Sequence, residues 1–133
     1  MKLFLDTNIF LEVILEQEKA GDSKSLLSKS EDHDFFISDF SLHSIGLLLF
    51  YRKQHDVFQQ FMKDIFIDAG MLLISLSVED MERVVNMSQK FKLDFDDAYQ
   101  YVVAEKYGLI IVSFDSDFDR TEIGRKTPEE ILI

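Results

Sequence analysis

KLFLDTN, at Lys2–Asn8, is a nearly continuous apolar run that ends in an acid, a hydroxyl and an amide. A short run of this kind is typical of a strand that is buried on both faces in a parallel sheet. Asp6 would then stand at the carboxyl end of the first strand. From Asn8 to Glu18 the apolar residues follow helical spacing, so the pattern predicts a strand that leads directly into a helix.

The same alternation of strand and helix continues along the chain. Three further apolar runs predict strands, at Phe35–Ser38, Met71–Leu76 and Leu109–Val112. Helical patterns lie between them, over Ser23–Ser30, Ser41–Lys53, Val57–Asp68, Ser77–Phe91 and Asp94–Lys106, and a last helix begins near Thr127 and Pro128. Strands that are separated by helices throughout predict an α/β fold with a mainly parallel sheet.

Length and composition predict one globular domain over residues 1–133. The chain has 47% hydrophobic residues, which is enough for a core, and thirteen Phe, which predict a core packed with rings. It has no Cys, which excludes disulfides and thiolate metal sites. No apolar run approaches the length of a membrane span, and the first residues do not resemble a signal peptide. We therefore expect a soluble cytoplasmic protein.

The charge balance is strongly acidic, with a formal net charge of −11. Phosphates would be repelled at long range, which argues against passive binding of nucleic acid over a large surface. A nucleic-acid enzyme is still allowed, because carboxylates in one pocket hold divalent cations, which attract phosphate. Solubility and a basic protein partner are the alternative explanations of the acidity.

Acidic residues follow the predicted strands at one edge of the sheet. Asp6 follows the first strand, Asp115 and Asp117 follow the last, and Asp97 lies in the first turn of the helix before it. Ligands of such folds bind beyond the carboxyl ends of the strands. Carboxylates that are gathered there raise each other's pKa unless a cation compensates them, and oxygen ligands select Mg²⁺ or Mn²⁺. Ordinary roles, such as a helix cap at Asp6 and turn residues at Asp115 and Asp117, are the competing interpretation.

Three segments, in this order, resemble the PIN-domain family. They are Asp6-Thr7-Asn8 after the first strand, Asp97-Ala98 in a helix that continues with small apolar residues, and VSFDSDF at Val112–Phe118. Each segment alone is a weak signal of the family, but the three together, in this order, cover nearly the whole chain. The resemblance implies a three-layer α/β/α fold around a central, mainly parallel sheet of four or five strands.

The resemblance also implies a metal-dependent ribonuclease. Its catalytic carboxylates would be Asp6, Asp97 and Asp115, which would hold Mg²⁺ or Mn²⁺ together with Asp117, and a metal-activated water would attack the RNA phosphate. The residues implied as supporting groups, which orient carboxylates or waters through hydrogen bonds, are Thr7, Asn8 and Ser113. Many small relatives are toxins of the VapC kind, which implies RNA as the substrate, an antitoxin as a partner and a homodimer.

The chain departs from the family pattern at one position. The family places a Glu in the helix after the second strand, and here Ser44 stands at that position with His43 beside it. A lost carboxylate weakens the hold on a cation. Asp39, at the strand end, is a candidate to compensate from another direction, and His43 is a candidate ligand for a transition metal. A PIN-like binding or regulatory module with weakened catalysis is therefore the alternative function. A phosphatase-like hydrolase with Asp6 as nucleophile ranks last, since no second Asp follows two residues on.

One basic cluster lies near the predicted acidic edge, formed by Arg120, Arg125 and Lys126. Such side chains position a nucleic-acid backbone in many complexes. The alternative is an ordinary exposed group with no role in binding.

Overall fold

Four parallel strands form the central sheet in the computed structural model, which describes residues 1–133. The strands are β1 (Lys2–Leu5), β2 (Asp34–Ser38), β3 (Leu72–Ile74) and β4 (Ile110–Val112). Their order across the sheet is β3-β2-β1-β4, so the first strand lies in the middle. The expectation of an α/β fold with a parallel sheet of four or five strands is confirmed.

Seven α-helices connect and cover these strands. They are α1 (Thr7–Ile14), α2 (Ala20–Leu27), α3 (Asp39–Tyr51), α4 (His55–Met62), α5 (Met81–Phe91), α6 (Phe95–Tyr107) and α7 (Pro128–Leu132). A π-helical turn (Lys63–Asp68) extends α4, and 3-10 turns lie at Val78–Asp80 and Ser116–Arg120. No helix has the length and apolar content that crossing a membrane would require.

The strand β1 has a buried side chain on each face of the sheet, which explains its continuous apolar sequence. Leu3 and Leu5 belong to a core cluster with residues of α1 to α4, whereas Phe4 belongs to a second cluster with residues of α5 and α6. All three side chains are fully buried. Successive side chains of a strand point to opposite faces, so these two clusters are the two interfaces of an α/β/α sandwich.

Several predicted boundaries were wrong. The strand predicted over Met71–Leu76 is paired only over Leu72–Ile74, where it forms an edge of the sheet and leaves Leu72 and Leu73 half exposed. The first helix ends at Ile14 instead of Glu18, because Glu16 has a left-handed backbone (φ 51°) that no α-helix accommodates. The single helix predicted over Val57–Asp68 is α4 followed by the π-helical turn.

The strand order brings the carboxyl ends of β1 and β4 side by side. Leu5 pairs with Val112, and the next residue, Asp6, donates its backbone N–H to the Val112 carbonyl at 3.0 Å. Asp6 and Ser113 therefore leave the sheet next to each other, although they are 107 residues apart in sequence. The edge beyond these strand ends is where α/β proteins bind ligands.

Candidate metal centre

A pocket of about 290 Å³ opens at this edge of the sheet. Four acidic side chains contribute to its wall, from the end of β1, the first turn of α6 and the loop after β4. The lining residues are Asp6, Asp96, Asp97 and Asp115, together with Thr7, Asn8, Leu11, Phe40, Ser44 and Gln100. Carboxylates from three separate parts of the chain thus share one concave site.

Three carboxylates lie close enough to hold one cation. Oxygen atoms of Asp97, Asp115 and Asp117 all lie within 4.8 Å of one another. The side chain of Asp115 accepts a hydrogen bond from the backbone N–H of Asp117 at 2.8 Å, which fixes the turn that presents both residues. Asp96 precedes Asp97, is exposed and also lines the pocket.

The electrostatics of this group favour a bound cation. Burial, and then the neighbouring charges of Asp115, Asp96 and Asp6, raise the pKa of Asp97 to about 8. A carboxyl group with such a pKa is protonated at neutral pH as long as nothing offsets the repulsion. A divalent cation would supply that compensation and displace the proton.

Asp6 is buried and is held by neutral donors. Its Oδ1 accepts hydrogen bonds from the Thr7 backbone N–H (2.9 Å) and from Gln100 Nε2 (3.1 Å), and its Oδ2 accepts one from Ser113 Oγ (2.7 Å). Burial raises the pKa of Asp6, and the hydrogen bonds from Ser113, Gln100 and Thr7 oppose that rise. Asp6 is also the N-cap residue of α1, so its role as a cap and its place in the pocket are compatible.

The three side chains expected to act as supporting groups all touch this network. Ser113 contacts Asp6 directly, and Asn8 reaches Asp6 through Ser113, because Asn8 Nδ2 donates to Ser113 Oγ at 3.2 Å. Asn8 Oδ1 also accepts from the Phe114 backbone N–H at 3.3 Å. Thr7 uses its backbone towards Asp6, while its hydroxyl lies 2.7 Å from that of Ser41.

Gln100 is a site residue that the sequence reasoning missed. Its side chain is 1% exposed, and its Nε2 donates to both Asp6 and Ser41 Oγ (2.8 Å), while its Oε1 accepts from Ser38 Oγ (2.6 Å). The signal was present, since Gln100 lies three residues after Asp97 on the same face of the helix. It is also an amide within a stretch, 98–104, in which every residue is buried.

Comparison with known protein families agrees with this geometry. The PIN-domain model matches residues 3–124, which is most of the chain and includes every acidic residue of the pocket. The chain belongs to the PIN-domain family. A comparison with curated proteins gives no match.

Solved structures share the fold of this PIN domain. VapC20 of Mycobacterium tuberculosis, described as a sarcin-ricin loop cleaving toxin, is 19% identical with a TM-score of 0.74, over 91% of this chain and 95% of that one. A toxin-antitoxin complex of Klebsiella pneumoniae is 22% identical, with a TM-score of 0.72. VapBC2 of Rickettsia felis, bound to a promoter DNA fragment, is 18% identical, with a TM-score of 0.70. Each of the last two matches covers 95% of this chain and 97% of the chain in the solved structure.

No carboxylate of α3 lines the pocket of this PIN domain. Ser44, at the position where the PIN pattern has Glu, lies in the pocket wall and is half-buried. Asp39 does not replace the missing acid, because its Oδ1 accepts hydrogen bonds from Tyr99 Oη (2.7 Å) and from the Phe40 backbone N–H (2.9 Å). His43 lies outside the pocket and lines an apolar groove between α3 and α4.

The two arginines of the basic cluster are both paired with acids. Arg120 donates hydrogen bonds to Asp117 Oδ1 and to the Lys92 carbonyl, each at 2.7 Å. Its guanidinium group therefore lies directly beside the cluster of carboxylates. Arg125 bonds Asp119 and also donates to the carbonyl of Ser113 at 3.1 Å, which braces the loop after β4. These two arginines are therefore part of the edge of the site.

Proposed function

We propose that this PIN domain is a metal-dependent ribonuclease that hydrolyses RNA phosphodiester bonds. The observation that carries the proposal is the convergence of Asp97, Asp115 and Asp117, with ligand atoms within 4.8 Å of one another, beside the buried carboxylate of Asp6. The proposed catalytic residues are Asp6, Asp97 and Asp115, and the proposed metal ligands are these three together with Asp117.

The donor set fits a hard divalent cation. All of the candidate ligand atoms are carboxylate oxygens, which suit Mg²⁺ and Mn²⁺. Such an ion, when bound, lowers the pKa of a coordinated water and stabilises negative charge on the attacked phosphate. The pKa of Asp97, raised first by burial and then by the charges of Asp115, Asp96 and Asp6, supports the same fit, because a bound cation would favour the ionised carboxylate.

The protein's own contribution is to fix the orientation of its carboxylates. Asp6 is held through both oxygens by neutral donors, so its position is set without a neighbouring cation that would cancel its charge. Ser113 links Asp6 to the loop that carries Asp115, since Ser113 Oγ also accepts from the Asp115 backbone N–H at 2.9 Å. Hydrogen bonds of this kind keep ligands in place before the metal and the substrate arrive.

The names of the similar structures support RNA as the substrate and an antitoxin as the partner. One similar protein is described as a toxin that cleaves the sarcin-ricin loop, and two others are toxin-antitoxin assemblies. We propose that residues 1–133 form one toxin-type domain that acts in the cytoplasm, pairs with a second copy and is blocked by an antitoxin. Exposed apolar side chains along α3, Leu47, Phe50 and Tyr51, support protein contacts of this kind.

A catalytically weakened binding or regulatory module is the second candidate. The observation that favours it is Ser44, which leaves the α3 side of the pocket without a carboxylate. This candidate predicts an intact fold with weak metal binding and no RNA cleavage.

Calorimetric titration with Mn²⁺, followed by an RNA cleavage assay, separates the two candidates. The ribonuclease proposal expects Mn²⁺ to bind the wild type and cleavage that stops when EDTA is added. Asp97→Asn and Asp6→Asn should each remove most of the cleavage. Asp32→Asn, which alters an exposed acid in a turn away from the pocket, serves as the control of equal charge change. A wild type that binds no Mn²⁺ at millimolar concentration would overturn the proposal and favour the module.

A further inference from the structure

An aromatic cluster adjoins the acidic pocket. The ring of Phe40 lies 6.3 Å from that of Phe95 and 5.8 Å from that of Tyr99, and the rings of Phe95 and Tyr99 are 6.0 Å apart. Phe40 lines the pocket itself. The three rings therefore form a continuous apolar path from the carboxylates to the surface, and Phe95 is its outer end.

Phe95 is unusual among the phenylalanines because it is exposed. Only Phe95 (57%) and Phe50 (54%) are exposed among the thirteen Phe residues, and the others are at least half-buried. Phe95 is the first residue of α6 and lies two positions before Asp97. Its ring packs against Phe40 beside the acidic pocket, and its exposed face is available for contact with another molecule.

Two exposed acids, Asp94 and Asp96, flank Phe95, so any affinity of this surface for RNA must come from local contacts and not from a basic patch around the ring. One cation, Arg120, stands at the rim, tied to the Lys92 carbonyl three residues before Phe95. Proteins stack unpaired bases on exposed aromatic rings, and a cation held by the carboxylates would attract the adjoining phosphate.

We propose that Phe95 is a stacking platform for an unpaired base of the substrate, next to the phosphate that enters the acidic pocket. This inference rests on the proposed ribonuclease function and adds a residue that positions one base of the substrate. A base within a duplex has both faces covered by its neighbours, so only an unpaired base offers a face to the ring. The ring contacts the base alone and does not distinguish ribose from deoxyribose.

Binding of single strands by conservative variants tests the platform. The probe is a fluorescein-labelled oligoadenylate of about eight nucleotides, titrated in Ca²⁺ instead of Mg²⁺ to slow cleavage. Phe95→Leu keeps an apolar side chain and removes the ring, and it should weaken binding roughly 5- to 100-fold, the usual worth of one stacked base. Tyr107→Leu is the control, because Tyr107 is also an exposed aromatic residue but lies roughly 18 Å from Phe95, at the other end of α6.

The absence of Trp from the chain provides a second, direct readout. Phe95→Trp places a single indole at the platform, and its fluorescence should be quenched by the single strand and not by a duplex of the same length. Tyr107→Trp should respond to neither. Wild-type affinity in Phe95→Leu, or a Phe95→Trp signal that changes with protein concentration alone, would overturn the proposal, and the latter would assign the ring to a protein contact.

The two proposals fail separately in these experiments. Cleavage in Mn²⁺ that is unchanged in Phe95→Leu would leave the ribonuclease intact and remove the platform. Quenching of Phe95→Trp by single strands, in a protein that never cleaves RNA, would keep the platform and remove the ribonuclease.

Discussion

Gln100 donates a hydrogen bond to Asp6 across 94 residues of sequence, with 3.1 Å between Nε2 and Oδ1. The amide is fully buried, and its two other side-chain hydrogen bonds are with Ser38 Oγ and Ser41 Oγ. A neutral group from one helix thus fixes the carboxylate that follows the first strand. Buried networks of this kind are stable only when every member is satisfied.

Gln100→Leu should leave Asp6, Ser38 and Ser41 without their buried partner. We expect the free energy of unfolding to fall by about 1–3 kcal/mol, which is typical for a buried polar group that loses its hydrogen bond. Urea unfolding measures this loss. Gln60→Leu is the control, because Gln60 makes an exposed side-chain bond to Asp64. Equal losses in the two variants would contradict a specific role for Gln100.

Asp97 should make the metal-free protein less stable as the pH rises. Its pKa is about 8 in the folded chain against 3.8 for an ordinary Asp, so the folded state retains a proton that the unfolded state releases. The stabilisation that the protonated Asp97 gives the folded state is complete below about pH 4, and it is lost as the pH rises to about 8. Asp97→Asn should remove this slope and be more stable at pH 8 by about 1–3 kcal/mol. Unfolding curves in EDTA between pH 5 and pH 8 test the sign, and a parallel slope in the variant would refute it.

Ser44→Glu should strengthen metal binding. The substitution places a carboxylate in the pocket wall, on the side where α3 offers none. We expect Mn²⁺ to bind about tenfold more tightly, and the metal-free protein to lose stability through like-charge repulsion. Calorimetry and thermal unfolding with and without Mn²⁺ measure both effects. Ser44→Gln has the same shape without the charge, and a gain of affinity in that variant would show that charge is not the cause.

Arg120→Gln should affect metal binding more than stability. The ion pair of Arg120 with Asp117 is largely exposed, with side chains 48% and 40% accessible, so its loss should cost less than about 1 kcal/mol. Removing the guanidinium group leaves Asp117 free to bind a metal, so the affinity for Mn²⁺ should rise a few-fold at low salt. Arg83→Gln removes another exposed arginine, paired with Glu105 away from the pocket, and controls for net charge. A change of the same size in both variants would contradict a local effect.

The sequence predicted the arrangement of strands and helices and the acidic edge, because both follow from local rules. The apolar run at Lys2–Leu5 had to be a buried strand, and an acid after such a strand lies at the edge where ligands bind. The role of Gln100 was not predictable in the same way, because its partners are 59 to 94 residues away. The partner of Asp39 was missed for the same reason, since Tyr99 lies 60 residues further on.

Element boundaries failed where tertiary packing overrides periodicity. The apolar pattern at Met71–Leu76 is longer than the strand it forms, because β3 has a neighbour on only one side. The helical pattern of Val57–Asp68 continues through a π-helical turn, which keeps Ile65 in the core while the backbone hydrogen bonding changes. Side-chain spacing does not distinguish these backbone forms.

Ser113 has a consequence for the order of events during synthesis. Its hydroxyl joins Asp6 and Asn8, near the start of the chain, to Asp115, near its end. A ribosome that has made the first hundred residues has produced β1, yet Asp6 still lacks its serine donor and two of the candidate ligands do not exist. A chain that ends before Ser113 therefore lacks the complete acidic group, so the candidate metal centre assembles only after β4 and the loop that follows it have been made.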